Sequence, residues 1–249
     1  MKLTDKAWDN YIDLLRRVND KAASELFAYL AKHQWWANNK ERQAAVDFAF
    51  AIATKYGEAA GAAAAQFYDE IANQWSEAVL PSAVPAKTAT YAEVAKTFNG
   101  TSKTDNAQLM ADAIGRLVKM AGVDTTMQNA LRDGAEWAWI PRGDTCPFCL
   151  TLASRGWVKA SKDAIIGGHA EHVHTHCDCT YAVRFRSDQG VEGYEPELYK
   201  RIWDNAEGRT TRQKVNSMAR TQYELNKDEI NARKRAEYAA RKARQEEMR

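Results

Sequence analysis

Apolar residues recur at steps of three and four over residues 5–33, where Trp8, Tyr11, Ile12, Leu15, Val18, Ala22, Leu26, Phe27 and Leu30 share one helical face. Thr4 or Asp5 stands where the N-cap belongs. A second periodic stretch, Asn39 to Ala78, puts Phe48, Ile52, Tyr56, Phe67, Ile71 and Trp75 on its apolar side, with Gly57 or Gly61 as candidate breaks. The alanine-rich run from Ala59 to Ala65 suits the close approach of another helix. Trp35 and Trp36, in the polar turn between the two stretches, are read as plugs of the inter-helix core rather than ligand contacts. Together these stretches predict an antiparallel helical hairpin or small bundle over residues 1–80.

Pro81 and Pro85 end that region and predict a linker over 81–90. Three helices are then expected, over Tyr91–Phe98, Asp105–Ala121 and Thr125–Trp139. The alternation in Thr180–Phe185 predicts a strand, with Trp157 and Val158 as its candidate partner. Residues 195–206 read as a short helix docked through Leu198, Ile202 and Trp203. From Thr210 or Thr211 a long helical region runs to Arg249, and its apolar residues thin out after Leu225, too few for a coiled-coil seam. The fold class is therefore mostly α, in an α+β arrangement. It comprises a helical bundle (1–80), a linker (81–90), a helical core with a small zinc-stapled β element (91–190) and a basic helical tail (191–249).

With 249 residues, 45% of them hydrophobic, the chain can bury a sizeable core. The net charge of +2 hides a division. From Lys200 onward fourteen Lys and Arg stand against eight Asp and Glu, while the residues before it carry twenty-one against twenty-five. The tail is basic and the body mildly acidic, which points to acidic protein or nucleic acid as the tail's partner. The opening MKLTDKAWDNYIDLL has charges where a signal peptide keeps an apolar run, and no stretch reaches the length of a membrane span. A soluble protein made in a cytoplasm, with no membrane partner, is expected. Asn99-Gly100-Thr101 matches a glycosylation sequon but reads more simply as a turn.

The chemistry concentrates between Asp144 and Cys179, which hold all four cysteines and four of the five histidines. Cys146-Pro147-Phe148-Cys149 forms a knuckle in which a tight turn aims two thiolates at one point. The cluster His174-Thr175-His176-Cys177-Asp178-Cys179 follows after twenty-four residues. Two separated pairs of such ligands suit a four-coordinate structural zinc, although the spacer is longer than in common zinc ribbons. Cys177 and Cys179, two apart, would share a face if they lie on a strand, giving four thiolates. Alternatively, His174 replaces one of them. His169, His172 and His176 are in excess.

Disulfides and thioredoxin-like redox chemistry are the competing readings. An intracellular chain disfavours the first, and the missing strand–helix context disfavours the second. A catalytic zinc of the deaminase type joins His-x-Glu to Pro-Cys-x-x-Cys, and His169-Ala170-Glu171 is present. The order is reversed, however, Pro147 lies inside the knuckle, and spare thiolates would close the open position that catalysis needs. No catalytic residue is expected, and the chain reads as a non-enzyme.

Cys146-Pro-Phe-Cys149, the following Leu152-Ala-Ser-Arg-Gly-Trp157, and His174-x-x-Cys177-x-Cys179 before a short strand resemble the zinc-type motif of phage Mu F-like minor head proteins, over at most residues 105–186. That resemblance implies a structural virion protein of tailed phages, active in head morphogenesis, associated with portal and capsid and reaching packaged DNA through the basic tail. It implies Cys146, Cys149, His174, Cys177 and Cys179 as the zinc-ligand set, and residence in the virion and, during assembly, in the host cytoplasm. The alternative is a zinc-dependent nucleic-acid-binding protein not tied to a virion.

Overall fold

A computed structural model describes residues 1–142, 145–162 and 179–247. Three long helices make the body: α1 (Asp5–Lys32), α2 (Asn39–Trp75) and, after the shorter α3 (Tyr91–Thr101), α4 (Ala107–Asp133). Each start is fixed by a side-chain cap that satisfies a first-turn amide. Thr4 accepts from the Ala7 amide at 3.3 Å, Asn38 from Glu41 at 3.0 Å and Asn106 from Leu109 at 3.1 Å. Thr90 and Glu93 form a reciprocal capping box at α3.

The sequence expectation of a break in α2 at Gly57 or Gly61 is not met, because α2 runs unbroken for 37 residues. Those glycines are interior positions where another segment presses on the helix. A Cβ at Gly57 would stand 2.9 Å from the Thr88 methyl, and one at Gly61 3.3 Å from Pro85. The proline-containing segment is held against α2 and α4 by buried polar groups. The Ala86 amide donates to Thr125 Oγ1 at 2.8 Å, and Asn129 both accepts from the Val84 amide and donates to its carbonyl. Residues on both sides of the expected 81–90 linker share the same buried clusters.

The two helices expected over Asp105–Ala121 and Thr125–Trp139 are one helix that stops at Asp133. Gly122 does not break it. It lets α4 lie against the Ala60 carbonyl of α2, 3.4 Å from where a Cβ would be. Thr125 and Thr126 send their hydroxyls back to the Ala121 and Gly122 carbonyls, so neither disturbs the helix. The helix ends on Gly134, whose φ of 65° is the left-handed conformation that glycine adopts at little cost.

Beyond Gly134 the expected helix end is instead strand β2 (Glu136–Ile140), the centre of a sheet ordered β3-β2-β4. β4 (Thr180–Arg184) pairs with β2 antiparallel, Trp139 opposite Tyr181 and Trp137 opposite Val183. β3 (Val158–Lys159) pairs with the other edge of β2, so the segment expected beside β4 is one strand removed from it. β1 (Lys2–Leu3) pairs in parallel with β5 (Gly190–Val191). Ala138, Ile140 and Ala182 face the α1–α2–α4 core, while Trp137, Trp139, Tyr181 and Val183 face a second cluster with Tyr68, Ile71 and Trp75 of α2. The sheet is thus buried on both sides. Its central strand therefore reads as an apolar run rather than as an alternation.

Some docking roles also differ from expectation. Trp35 plugs the core at 3% exposure, but Trp36 is 61% exposed. Phe27 is exposed as well. Helix α5 (Pro147–Ala153) packs on α6 (Pro196–Asn205) and on the start of α7 (Thr211–Glu247). Yet Leu198 and Ile202 of α6 remain exposed, and the helix contains no buried residue.

Asp124 of α4 is half-buried. Burial, with the Glu93 carboxylate adding to it, pushes its acid up to about 6. A raised carboxyl favours the protonated fold, so this group's effect on stability is absent below about pH 4, becomes a penalty as pH rises to about 6, and stays constant above. Asp124→Asn is therefore expected to stabilise the protein at pH 7, by on the order of 1–3 kcal/mol, and to leave stability unchanged below about pH 4. Urea unfolding at the two pH values measures both.

Candidate metal centre

Two chain segments bring the described cysteines to one layer of the molecule. Cys146 is the N-cap of α5, with φ −68° and ψ 157°, followed by Pro147, whose fixed φ and missing N–H suit a helix start. The Cys149 amide donates to Cys146 Sγ at 3.4 Å. This is the turn the Cys-x-x-Cys spacing predicts, with a backbone N–H directed at a sulfur. Cys146 is half-buried and Cys149 fully buried.

Cys179 comes from the other segment, one residue before β4. Its odd-numbered position gives it the same parity as Tyr181 and Val183, so it belongs to the face of the sheet that α5 covers. There Cys179 and Cys149 are members of one buried cluster, with Cys146 packed against it. Burial raises the Tyr181 hydroxyl and Cys149 pushes in the same direction; burial likewise raises Tyr199 of α6, with Cys179 adding. No disulfide joins any two of the described cysteines.

Arg142, on the stretch leading from β2 toward the knuckle, ties the two segments together. Its amide donates to Cys179 Sγ at 3.3 Å. Its guanidinium pairs with Asp9 of α1 and lies 3.8 Å from Asp5, while Nε is buried with no acceptor among the described residues. The knuckle is held from the other side by α7, where Gln222 donates to the Thr145 carbonyl at 2.9 Å. Sequence reasoning missed both supports. An arginine between two turns and a glutamine on a polar helix have no periodicity or spacing that marks them.

His174 and Cys177, like His169, Glu171, His172 and His176, lie outside the described residues. Among the described residues no group of three or more His, Cys, Asp and Glu is assembled as a metal site. The three described thiols nevertheless fit zinc in kind. Two sit on an N-cap turn and the third on the same buried layer, and a sulfur in each of the two segments accepts from a backbone amide, Cys146 from Cys149 and Cys179 from Arg142. No helix among the described residues is long and apolar enough to cross a membrane.

The chain belongs to the VG15 protein family, whose sequence profile matches residues 2–206, and this is a family of phage proteins. No curated protein and no solved structure matches the chain.

Proposed function

We propose that this phage protein is a minor head protein of the Mu F-like kind, acting in head morphogenesis as a structural component of the virion. Membership of a phage family over residues 2–206 supports the reading. The observation that carries it is the Cys146–Cys149 turn docked beside Cys179 on one face of the sheet, the segments of the motif that resembles those proteins.

In this role the chain holds one zinc through Cys146 and Cys149 and two of His174, Cys177 and Cys179, and the metal is structural. A closed set of four ligands leaves no position for water or substrate, so the protein is architectural and not an enzyme. The metal supplies the cross-link between the knuckle and the strand. The chain's own residues keep the thiolates apart from water and direct amides at them. The protein contacts portal and capsid subunits, and the basic residues beyond Lys200 meet acidic protein or packaged DNA.

Expression with the portal and major capsid proteins of the same phage tests this. The chain is expected to co-sediment with assembled heads or portal rings and to remain with them in salt that dissociates DNA. Recovery only with duplex DNA, in a form lost as salt rises, would instead mark the nucleic-acid-binding reading.

A further inference from the structure

We propose that copies of this chain associate head to tail, Trp36 of one copy seating in a cleft between α1 and α2 at the far end of the next. The contact is independent of the zinc reading and uses no residue of the cysteine layer.

Trp36 lies in the turn from α1 to α2 and is 61% exposed, although its neighbour Trp35 is buried. The turn holds it in place. The Trp35 amide donates to the His33 carbonyl and the Ala37 amide to the Gln34 carbonyl, both at 2.9 Å, and the two indoles meet edge-on at 5.4 Å. A large ring already fixed outside the core loses little freedom when a partner covers it, which is why tryptophan is prominent among interface anchors. The same two helices leave an open cleft of about 440 Å³ at their other ends, a size that accepts small ligands and has room for an indole. Its floor is Tyr11 stacked on Phe67 at 4.0 Å, with Leu3, Leu14 and Ile71 around it. Ala63 adds only a methyl to the α2 wall, and Leu14 is 41% exposed, so apolar surface stands open to solvent. Exposed Gln66, Glu70 and Gln74 offer acceptors for an indole N–H.

Charge complements shape. Exposed Lys32 and Lys40 flank the ring, and residues 32–46 hold three Lys and Arg against one carboxylate, Glu41. On the cleft side Glu70 lines the wall, and residues 58–77 hold four carboxylates and no Lys or Arg. Lys2 and the Met1 ammonium also line the cleft, but the ammonium is already bonded to the Asp188 carbonyl at 2.8 Å. A basic turn thus faces an acidic α2 wall, which favours this register over ring against ring, where like charges meet. From Asn39 to Phe67 α2 rises about 40 Å, so the ring and the cleft of one copy cannot meet each other. A contact between two different surfaces is heterologous: it adds copies in one direction and closes only where the rotation permits a ring. One indole buries about 150–250 Å², well below a standard interface, so the association is weak and grows with concentration.

Sedimentation velocity of the full wild-type chain is expected to show a mass that rises with protein concentration. Trp36→Ala, and separately the double variant Leu14→Arg, Glu70→Lys, should each self-associate roughly thirtyfold more weakly, the loss that marks a hot spot. All three positions are exposed, so thermal unfolding of both variants should match wild type. Trp36→Ala keeps the cleft and the double variant keeps the ring. An equimolar mixture of the two should therefore form one-to-one dimers that grow no further. A mixture without dimers overturns the head-to-tail contact, and so does a Trp36→Ala chain that associates as wild type does. A wild-type chain that stays monomeric at every concentration also overturns it and leaves the ring to a different protein. None of these outcomes depends on metal content or on recovery with phage heads, so the zinc and head-protein readings stand or fall separately.

Discussion

A Cys146→Ser, Cys149→Ser double variant is expected to lose the bound zinc entirely and to unfold at a lower temperature than wild type, by the same amount that a strong chelator lowers the wild-type chain. Chelator should then have no further effect on the variant. The reason is that the knuckle and Cys179 belong to segments far apart in the chain, one opening α5 and one entering β4, that meet in one buried cluster on a face of the sheet, where the Arg142 amide also reaches the Cys179 sulfur. A metal bound across them stabilises the folded state by its binding free energy, about 4 kcal/mol when the free metal is a thousandfold above its dissociation constant. Serine at Cys146 still caps the helix, so the loss is assigned to the metal and not to α5. Thermal melts of both proteins with and without chelator, read alongside metal content, check all three expectations.

The second large effect is at the centre of the sheet. Trp139→Ala is expected to destabilise the protein by about 3–5 kcal/mol, the range for deleting a fully buried large aromatic side chain. Trp139 is 2% exposed and meets Tyr181 edge-on at 4.8 Å across the β2–β4 pair. The void would open beside Cys149 and Leu152, which share its cluster, so α5 loses part of its seat. Trp139→Phe keeps the ring contact and discards an indole N–H that finds no acceptor among the described residues, so its cost should be clearly smaller. Urea unfolding of metal-loaded protein distinguishes the two.

The sequence pattern makes the long helices readable and hides the sheet. Thr4, Asn38 and Thr90 stand at helix starts where capping chemistry places such residues, and the three-and-four spacing in α1 needs only local information. Phe27 on α1 and Trp36 in the turn after it depart from expectation because bulk alone does not decide whether a side chain faces a neighbouring element or solvent. Glycines mislead for a related reason. Gly57 and Gly61 look like helix breakers in isolation, but each, like Gly122 in α4, marks a close approach by a distant segment, which only the tertiary structure reveals.

Glu136–Ile140 reads as a helix end because a strand covered on both faces loses the alternation that identifies strands. Gly134 holds the usable clue. A left-handed glycine terminates α4, and the Trp-Ala-Trp beyond it matches a period of two as well as it matches a helix. At the candidate site, Cys146 and Cys149 are legible from spacing because two side chains on one tight turn need no long-range information. The position of Cys179 on the α5 side of the sheet depends on strand parity, and parity requires the register with β2. Arg142 reaches Cys179 through its backbone amide, which leaves no trace in residue order.

Native mass spectrometry of the wild-type chain, purified under reducing conditions, tests the central claim most directly. One zinc per chain, released by acid or chelator with a matching fall in unfolding temperature, is the expected result. A chain whose mass shows no metal, and whose unfolding is the same with and without chelator, would contradict it.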